Sequence, residues 1–116
     1  MNAAPARLKR RAEFLRVGGK GRKIAQPGLV LQALARADGE PARIGFTVTK
    51  KIGNAVVRNR TRRRLREAAR LVLAETPTAG VDLVLVGRAA TRVRTFAALM
   101  QDLRDALARA HPAERP

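Results

Sequence analysis

The chain has 116 residues, which suits one domain with a modest hydrophobic core, and it contains no cysteine. The lack of cysteine excludes a disulfide framework and a thiolate zinc site, and it agrees with a cytoplasmic location. The 25 Lys and Arg residues outnumber 9 Asp and Glu, so the formal net charge is +16. Because such an excess opposes compaction by self-repulsion, a polyanionic partner is expected. No apolar run approaches the roughly 18 residues that a bilayer requires, so we expect no association with a membrane.

The positive charge is concentrated in two segments. Residues 1–23 hold eight basic residues and one acidic residue, a net charge of +7, and residues 50–70 hold nine and one, a net charge of +8. All other residues together contribute only +1. The two segments therefore account for nearly all of the imbalance, which a generally basic composition would not explain.

The first predicted element is a short helix over residues 7–17. Its apolar stripe, at helical spacing, consists of Leu8, Ala12 and Leu15. Phe14 and Val17 point away from this stripe, so part of the helix's apolar surface is not simply core. The glycines of residues 18–21 are expected to end the helix, because glycine is a poor helix former and a good C-terminal cap.

Two segments with alternating apolar residues follow. Residues 29–36 and 43–49 predict strands, since alternate residues of a strand face opposite sides of a sheet. In the second strand, the residues predicted to face the core are Ile44, Phe46 and Val48, and those predicted to face outward are Gly45, Thr47 and Thr49. The Asp-Gly turn at 37–41 joins the segments, so we expect the two strands to pair as a hairpin.

The arginine-rich segment predicts a helix that begins after Asn54, a suitable N-cap, and ends at the TPTAG sequence of residues 76–80. On a helical wheel one face of this helix consists of Val57, Thr61, Leu65, Ala68, Ala69 and Val72. The rest of its surface is occupied by Arg60, Arg63, Arg64, Arg66 and Arg70.

The C-terminal part predicts a mostly buried strand over residues 81–86 and an amphipathic helix over 95–110. The core stripe of that last helix consists of Phe96, Leu99, Leu103 and Leu107. The element order αββαβα predicts a single α+β domain over residues 1–116, with an ordered core of about 7–110. The tails, residues 1–6 and 111–116, are expected to be flexible.

The arginine segment is the strongest functional signal. An ordinary solvated helix alternates charge signs at i,i+4, whereas Glu67 is the only acidic residue between residues 50 and 70. Arginine suits phosphate because its planar guanidinium donates two parallel hydrogen bonds. We therefore expect nucleic-acid binding rather than a merely solvated surface. With three Phe and no Tyr or Trp, base stacking should be a minor contribution.

Nothing in the sequence indicates a self-sufficient enzyme. No carboxylate cluster, nucleophile–base set or metal-ligand spacing is present, so we predict no catalytic residue and no metal ligand. The GGKGRK segment at 18–23 lacks the spacing of a phosphate-binding loop. His111 is interpreted as solvent-exposed, and Asp102 and Asp105 are expected to pair with Arg109 rather than bind a cation.

Residues 50–67, KKIGNAVVRNRTRRRLRE, resemble the signature segment of the bacterial ribonuclease P protein subunit, whose hallmark is an Arg-Asn-Arg triplet, here residues 58–60. The preceding GFTVTKK, the basic first helix with Phe14 and the element order also match. The resemblance implies a single-domain α-β sandwich that is ribosomal-protein-S5-domain-2-like. It also implies a left-handed βαβ crossover through the arginine helix, between two parallel strands.

The resemblance further implies that the chain binds a large catalytic RNA and the 5′ leader of precursor tRNA, and assists endonucleolytic removal of the leader. By the same resemblance, the RNA subunit and its Mg²⁺ ions are expected to carry the chemistry. We expect this chain alone to bind no cofactor, to have no protein partner, and to be present as one copy per RNA. The implied RNA-binding residues are Lys50, Lys51, Arg58, Asn59, Arg60, Arg62, Arg63 and Arg66. The implied leader-cleft residues are Phe14, Val30, Gln32, Thr47 and Thr49.

Three positions depart from the family pattern. Gly18 and Gln32 stand where the family often has aromatic residues, so polar contacts to the leader are expected to replace some stacking. Thr61 stands where the family usually has an aliphatic residue. Two alternatives to the ribonuclease P function stay open from the residues themselves: a small basic structural RNA-binding protein such as a ribosomal protein, and a binder of double-stranded DNA.

Overall fold

The computed structural model describes residues 5–76 and 78–110. Its strands are β1 (Ala6–Arg7), β2 (Arg22–Ala25), β3 (Leu29–Ala35), β4 (Arg43–Thr47) and β5 (Val81–Gly87). Its helices are α1 (Arg11–Lys20), α2 (Ala55–Glu75) and α3 (Phe96–Ala110), and 3₁₀ turns cover Lys50–Ile52 and Ala89–Arg92. The six predicted elements are all present, and two short strands, β1 and β2, were missed. No described helix has the length and apolar character that crossing a membrane requires.

The five strands form one sheet in the order β1-β4-β5-β3-β2. The predicted hairpin of β3 and β4 is wrong, because β5 lies between them, antiparallel to β3 and parallel to β4. All but one of the residues of β5 are buried, so this strand needs a neighbour on each side and takes the centre of the sheet. The chain passes from β4 to the parallel β5 through α2, as the resemblance implied; the left hand of this crossover stays a prediction.

The sheet separates a large core from a small one. On one face, α2 and α3 pack over alternate residues of the three central strands, which include Leu31, Ile44 and Leu85. On the other face, α1 packs over a smaller cluster that contains Val17 and Val84. The helices thus cover the two faces unequally, and much of the α1 face is left open.

Helix α2 follows its sequence pattern. The Asn54 side chain accepts a hydrogen bond from the N–H of Val57 at 3.0 Å, as predicted for the N-cap. The buried residues of the helix are Thr61, Leu65, Ala68, Ala69, Val72 and Leu73. The hydroxyl of Thr61 donates to the carbonyl of Val57 at 2.8 Å, so this departure from the family pattern leaves no unsatisfied group in the core.

The predicted apolar stripe of the first helix is wrong. Leu15 is 60% exposed, whereas Val17, which was assigned away from the core, is completely buried. Leu8 is buried but precedes the helix: β1 pairs with β4, and the N–H of Leu8 continues this pairing to the carbonyl of Ile44 at 2.9 Å. The helix begins at Arg11, after this pairing, and different residues face the core from those predicted.

Two further expectations are corrected or lie outside the described residues. Asp102 is buried and accepts hydrogen bonds from Arg94 and from the N–H of Gly28, and Asp105 accepts one from Gln101, so neither pairs with Arg109 as expected. Ala6, placed in the N-terminal tail, belongs to β1. Pro5 precedes β1 and belongs to no helix or strand, and the other predicted tail residues, 1–4 and 111–116, including His111, lie outside the described residues.

Candidate nucleic-acid interface

The arginine helix presents a basic surface on the side that faces away from the core. Lys50 and Lys51 are exposed in the 3₁₀ turn that leads from β4 to α2. On α2, Asn59, Arg60, Arg63 and Arg66 are exposed, whereas Arg58 and Arg62 are half-buried. The structure thus places all eight sequence-predicted RNA-binding residues on the 3₁₀ turn and the N-terminal part of α2. We refer to these eight residues as the basic face.

Most cations of the basic face are free of intramolecular partners. Arg58 donates to the carbonyl of Gly53 at 3.0 Å, and Arg62 donates to the side-chain oxygen of Asn59 at 3.1 Å. Within residues 5–76 and 78–110, no side-chain hydrogen bond or ion pair engages the remaining five cations, which are Lys50, Lys51, Arg60, Arg63 and Arg66. Five unpaired cations and one amide are suited to bind phosphates along a nucleic-acid backbone.

Two other arginines of α2 have structural roles. Arg64 donates to the carbonyl of Thr91 at 3.0 Å and to the carbonyl of Arg94, and its guanidinium lies 5.8 Å from the centre of the Phe96 ring. Arg70 pairs with Glu67, and its hydrogen bond and charge lower the pKa of the Glu67 carboxyl. The arginines that the helical wheel grouped together thus differ in function.

The sheet face opposite α2 carries the second candidate surface. Residues in register across β4, β5 and β3 form three rows on this face. They are Thr47–Val86–Val30, then Gly45–Val84–Gln32, then Arg43–Asp82–Leu34. Helix α1 lies over the second row: Phe14 contacts Gly45, Val17 packs with Val84, and Gly18 lies beside the Gln32 amide. The first row is left uncovered by α1, and its residues Thr47 and Val86 line a cleft beside the helix.

The cleft has a volume of about 740 Å³. Of the predicted leader-cleft residues, Phe14, Gln32 and Thr47 line it. Val30 lies on the same sheet face, in register with Val86, but outside the lining; Thr49 is exposed beyond the end of β4. The structure therefore brings together three of the five.

The remaining lining residues were missed by the sequence analysis. They are Lys9, Arg11, Leu15, Gly18, Gly19 and Val86. The concentration of positive charge in residues 1–23 was the available signal for Lys9 and Arg11, but their placement depends on where α1 begins.

Comparison with known proteins shows the family of the chain that carries these two surfaces. Residues 3–111 match the sequence model of the family described as Ribonuclease P. The chain belongs to the ribonuclease P protein family. It is 71% identical over 104 residues to the ribonuclease P protein component of Gluconacetobacter diazotrophicus, with 90% of each chain covered. It is 50% identical to that of Paramagnetospirillum magneticum, with all of this chain and 95% of the relative covered.

Solved structures agree with the family fold. The ribonuclease P protein of Staphylococcus aureus superimposes with a TM-score of 0.75 at 28% identity, covering 90% of this chain and 94% of that one. The ribonuclease P protein of Thermotoga maritima, at 24% identity and a TM-score of 0.72, shares the fold. The predicted family and α+β fold are confirmed. As a ribonuclease P protein, the chain is a component of an endoribonuclease complex and functions in the 5′ processing of tRNA.

At the third row, the chain holds a buried ion network. The fully buried Asp82 accepts hydrogen bonds from Arg36 at 2.7 Å and from Arg43 at 2.9 and 2.8 Å. Burial raises the pKa of Asp82, but the hydrogen bonds from Arg43 and Arg36 outweigh it and hold the pKa below its ordinary value of 3.8. A single aspartate in the apolar VDLVLV segment was the sequence signal for such a network. This network lies at the end of the α1 face opposite the first row.

Proposed function

We propose that the basic face binds the catalytic RNA of ribonuclease P and that the cleft beside α1 binds the 5′ leader of precursor tRNA. The observation that carries the proposal is the separation of two surfaces. Five unpaired cations lie on the turn before α2 and on α2 itself, which packs on one side of the sheet. A lined cleft lies on the other side.

The two surfaces approach each other at the end of β4. Thr47 lines the cleft, and the 3₁₀ turn with Lys50 and Lys51 begins three residues later. A protein with this geometry can lie between two polyanions and lower their mutual repulsion. Cations that replace condensed counterions gain free energy from counterion release. This accounts for a net charge of +8 within residues 50–70.

The chemistry of the cleft suits a single-stranded segment of RNA. Lys9 and Arg11 at its rim supply positive charge for phosphates, and Phe14 supplies an aromatic ring for a base. The amide of Gln32, which also lines the cleft, offers both a hydrogen-bond donor and an acceptor. Because Gly18 has no side chain to cover it, this amide faces the cleft.

In this proposal the RNA subunit and its Mg²⁺ ions carry out hydrolysis, and one protein copy assists each RNA. The buried carboxylates of the described residues support this division, because Asp82 and Asp102 both bind arginines and are unavailable as a general acid or base. Family membership argues against the two alternatives, a ribosomal protein and a DNA-binding protein.

A Mg²⁺ titration of cleavage tests the assisting role. The protein should lower the Mg²⁺ concentration at half-maximal cleavage, because its cations and Mg²⁺ relieve the same phosphate repulsion. Replacing Arg60, Arg63 and Arg66 together by alanine should move that midpoint back toward the value for RNA alone. Each of the three single substitutions can be compared with Arg109→Ala on α3, which also removes one positive charge and whose guanidinium has no partner among the described residues. Equal midpoints with and without protein would contradict the proposal, as would cleavage by the protein without RNA.

Removing the aromatic ring of Phe14 tests the cleft. Stacking of a base on an aromatic ring contributes about 1–3 kcal/mol, so Phe14→Ala should lower precursor affinity about 5- to 150-fold. Mature tRNA lacks the leader, so the affinity of the holoenzyme for mature tRNA should hardly change. The ratio of precursor affinity to product affinity should therefore fall. Catalytic-RNA binding should stay nearly intact. A lower melting temperature with an unchanged ratio would instead show that Phe14 only supports the fold.

A further inference from the structure

The position of Phe14 depends on how α1 is attached to β4. A Cβ atom at Gly45 would lie 2.5 Å from two ring carbons of Phe14, so the ring rests directly on the backbone of this strand. Such close approach requires a residue without a side chain. The contact fixes the height of the ring above the sheet, but a flat surface alone does not fix where the ring lies along it.

The residue next to Phe14 supplies a lateral attachment. One carboxylate oxygen of Glu13 accepts hydrogen bonds from the N–H groups of Lys9 and Arg10, both at 3.0 Å. The other accepts one from Arg43 at 3.1 Å. Glu13 therefore links the first turn of α1 to β4, two residues before Gly45.

Arg43 is itself held in place by the buried Asp82. It donates two hydrogen bonds to the two oxygens of this carboxylate, which belongs to the central strand. Arg16, one turn further along α1, also lies 3.9 Å from Asp82. The chain of contacts from Asp82 through Arg43 to Glu13 thus runs from the buried central strand of the sheet to the residue that precedes Phe14.

We propose that Glu13, held by Arg43, is a positioning residue for leader recognition: it fixes Phe14 in the place where the ring meets the leader. This inference rests on the proposed function of the cleft. The Glu13 and Arg43 side chains are 22% and 32% exposed, and a partly exposed ion pair contributes little to folding. We therefore expect the Glu13–Arg43 ion pair to matter more for the position of α1 at the cleft than for the stability of the fold.

The test is Glu13→Gln, measured in the holoenzyme. Glutamine keeps an oxygen that can accept from the N–H groups of Lys9 and Arg10, so the change is directed at the ion pair with Arg43. We expect the precursor-to-product affinity ratio to fall about threefold to tenfold, a part of the effect of removing the ring. Catalytic-RNA affinity should stay within about twofold and melting temperature within a few degrees, as for a partly exposed pair.

The matched control is Glu75→Gln. Glu75 pairs with Arg104 at 2.9 Å between α2 and α3, away from the cleft, so the change in charge and the loss of an arginine pair are the same. This variant should leave the affinity ratio unchanged. If both variants lowered the ratio equally, net charge rather than position would be responsible and the inference would be overturned.

A double-mutant cycle with Phe14→Ala separates this inference from the proposed function. If Glu13 acts by placing the ring, Glu13→Gln should have no further effect on the ratio once the ring is absent. An equal effect in both backgrounds would overturn the positioning role. If Phe14→Ala alone left the ratio unchanged, the proposed cleft would fail. If Phe14→Ala narrowed the ratio but Glu13→Gln did not, only the present inference would fail.

Discussion

Replacing two adjacent arginines of α2, Arg63 and Arg64, by alanine should affect two different properties of the protein, RNA binding and stability. Arg63 is exposed and has no intramolecular partner within the described residues, whereas Arg64 bonds to the carbonyls of Thr91 and Arg94. Arg64 thereby ties the middle of α2 to the segment that leads into α3. We expect Arg64→Ala to lower stability with little effect on RNA binding, and Arg63→Ala to lower RNA binding with little effect on stability.

The magnitudes follow from the contacts. A hydrogen bond with a charged donor contributes about 1.5–3 kcal/mol to the free energy of unfolding. When the donor is removed, water that hydrates the freed carbonyl offsets part of this loss. Loss of the two bonds of Arg64, slightly offset by the helix propensity of alanine, should cost about 2 kcal/mol. For a domain of this size that lowers the melting temperature by about 8 °C. Arg63→Ala should change stability by less than about 0.5 kcal/mol, but it should reduce the salt slope of RNA binding by about one unit.

Thermal unfolding and catalytic-RNA binding at several salt concentrations measure both effects, with Arg109→Ala as the control for loss of one charge. The reasoning would be refuted if Arg64→Ala melted like the parent protein. It would also be refuted if Arg63→Ala lowered the melting temperature as much as Arg64→Ala does.

Three more predictions concern stability. Asp82→Asn removes the charge that holds Arg36 and Arg43, and should cost about 3 kcal/mol in denaturant unfolding, since breaking a buried pair costs about 3–5; an unchanged midpoint would contradict the ion network. The pKa values of Asp82 and Glu13 are lowered in the folded state, below 3.8 and 4.5. The stabilisation from these two carboxylates is therefore full above their ordinary pKa values and is lost as the pH falls below about 4. The melting temperature should drop in that range, and it should drop less in Asp82→Asn than in the parent protein. A melting temperature that does not depend on pH would refute this prediction. Asn54→Ala should cost about 1 kcal/mol by removing the N-cap, and Asn54→Asp should cost much less; equal losses would argue against the cap.

The sequence predicted elements better than their arrangement. Helix α2 could be placed because its cap, its apolar stripe and its end are all local signals. The pairing of β3 with β4 was wrong because a short turn favours a hairpin, whereas the apolar β5 competes for both strands. The apolar character of residues 81–86 was noted, but its consequence, a strand that needs two neighbours, was not drawn.

In the candidate site too, features set by neighbouring residues in the sequence could be predicted, whereas features set by contacts between distant residues could not. The basic face could be predicted because its charge is concentrated in a single helix and the turn before it. The structural role of Arg64 could not be predicted, because its acceptors lie 27 and 30 residues away. Likewise, Lys9 and Arg11 line the cleft where the chain leaves the β1–β4 pairing and enters α1. That pairing is a tertiary contact without a local sequence signal.

The salt dependence of catalytic-RNA binding tests the central claim most directly, because it measures how many phosphates the basic face contacts. The basic face has five unpaired cations, and Arg58 and Arg62 add two more. The salt dependence of the affinity should therefore correspond to about five to eight phosphate contacts. The logarithm of the affinity should then fall linearly against the logarithm of the salt concentration with a slope of about −4 to −7. A slope near zero would contradict the claim that the arginine helix binds RNA through its phosphates.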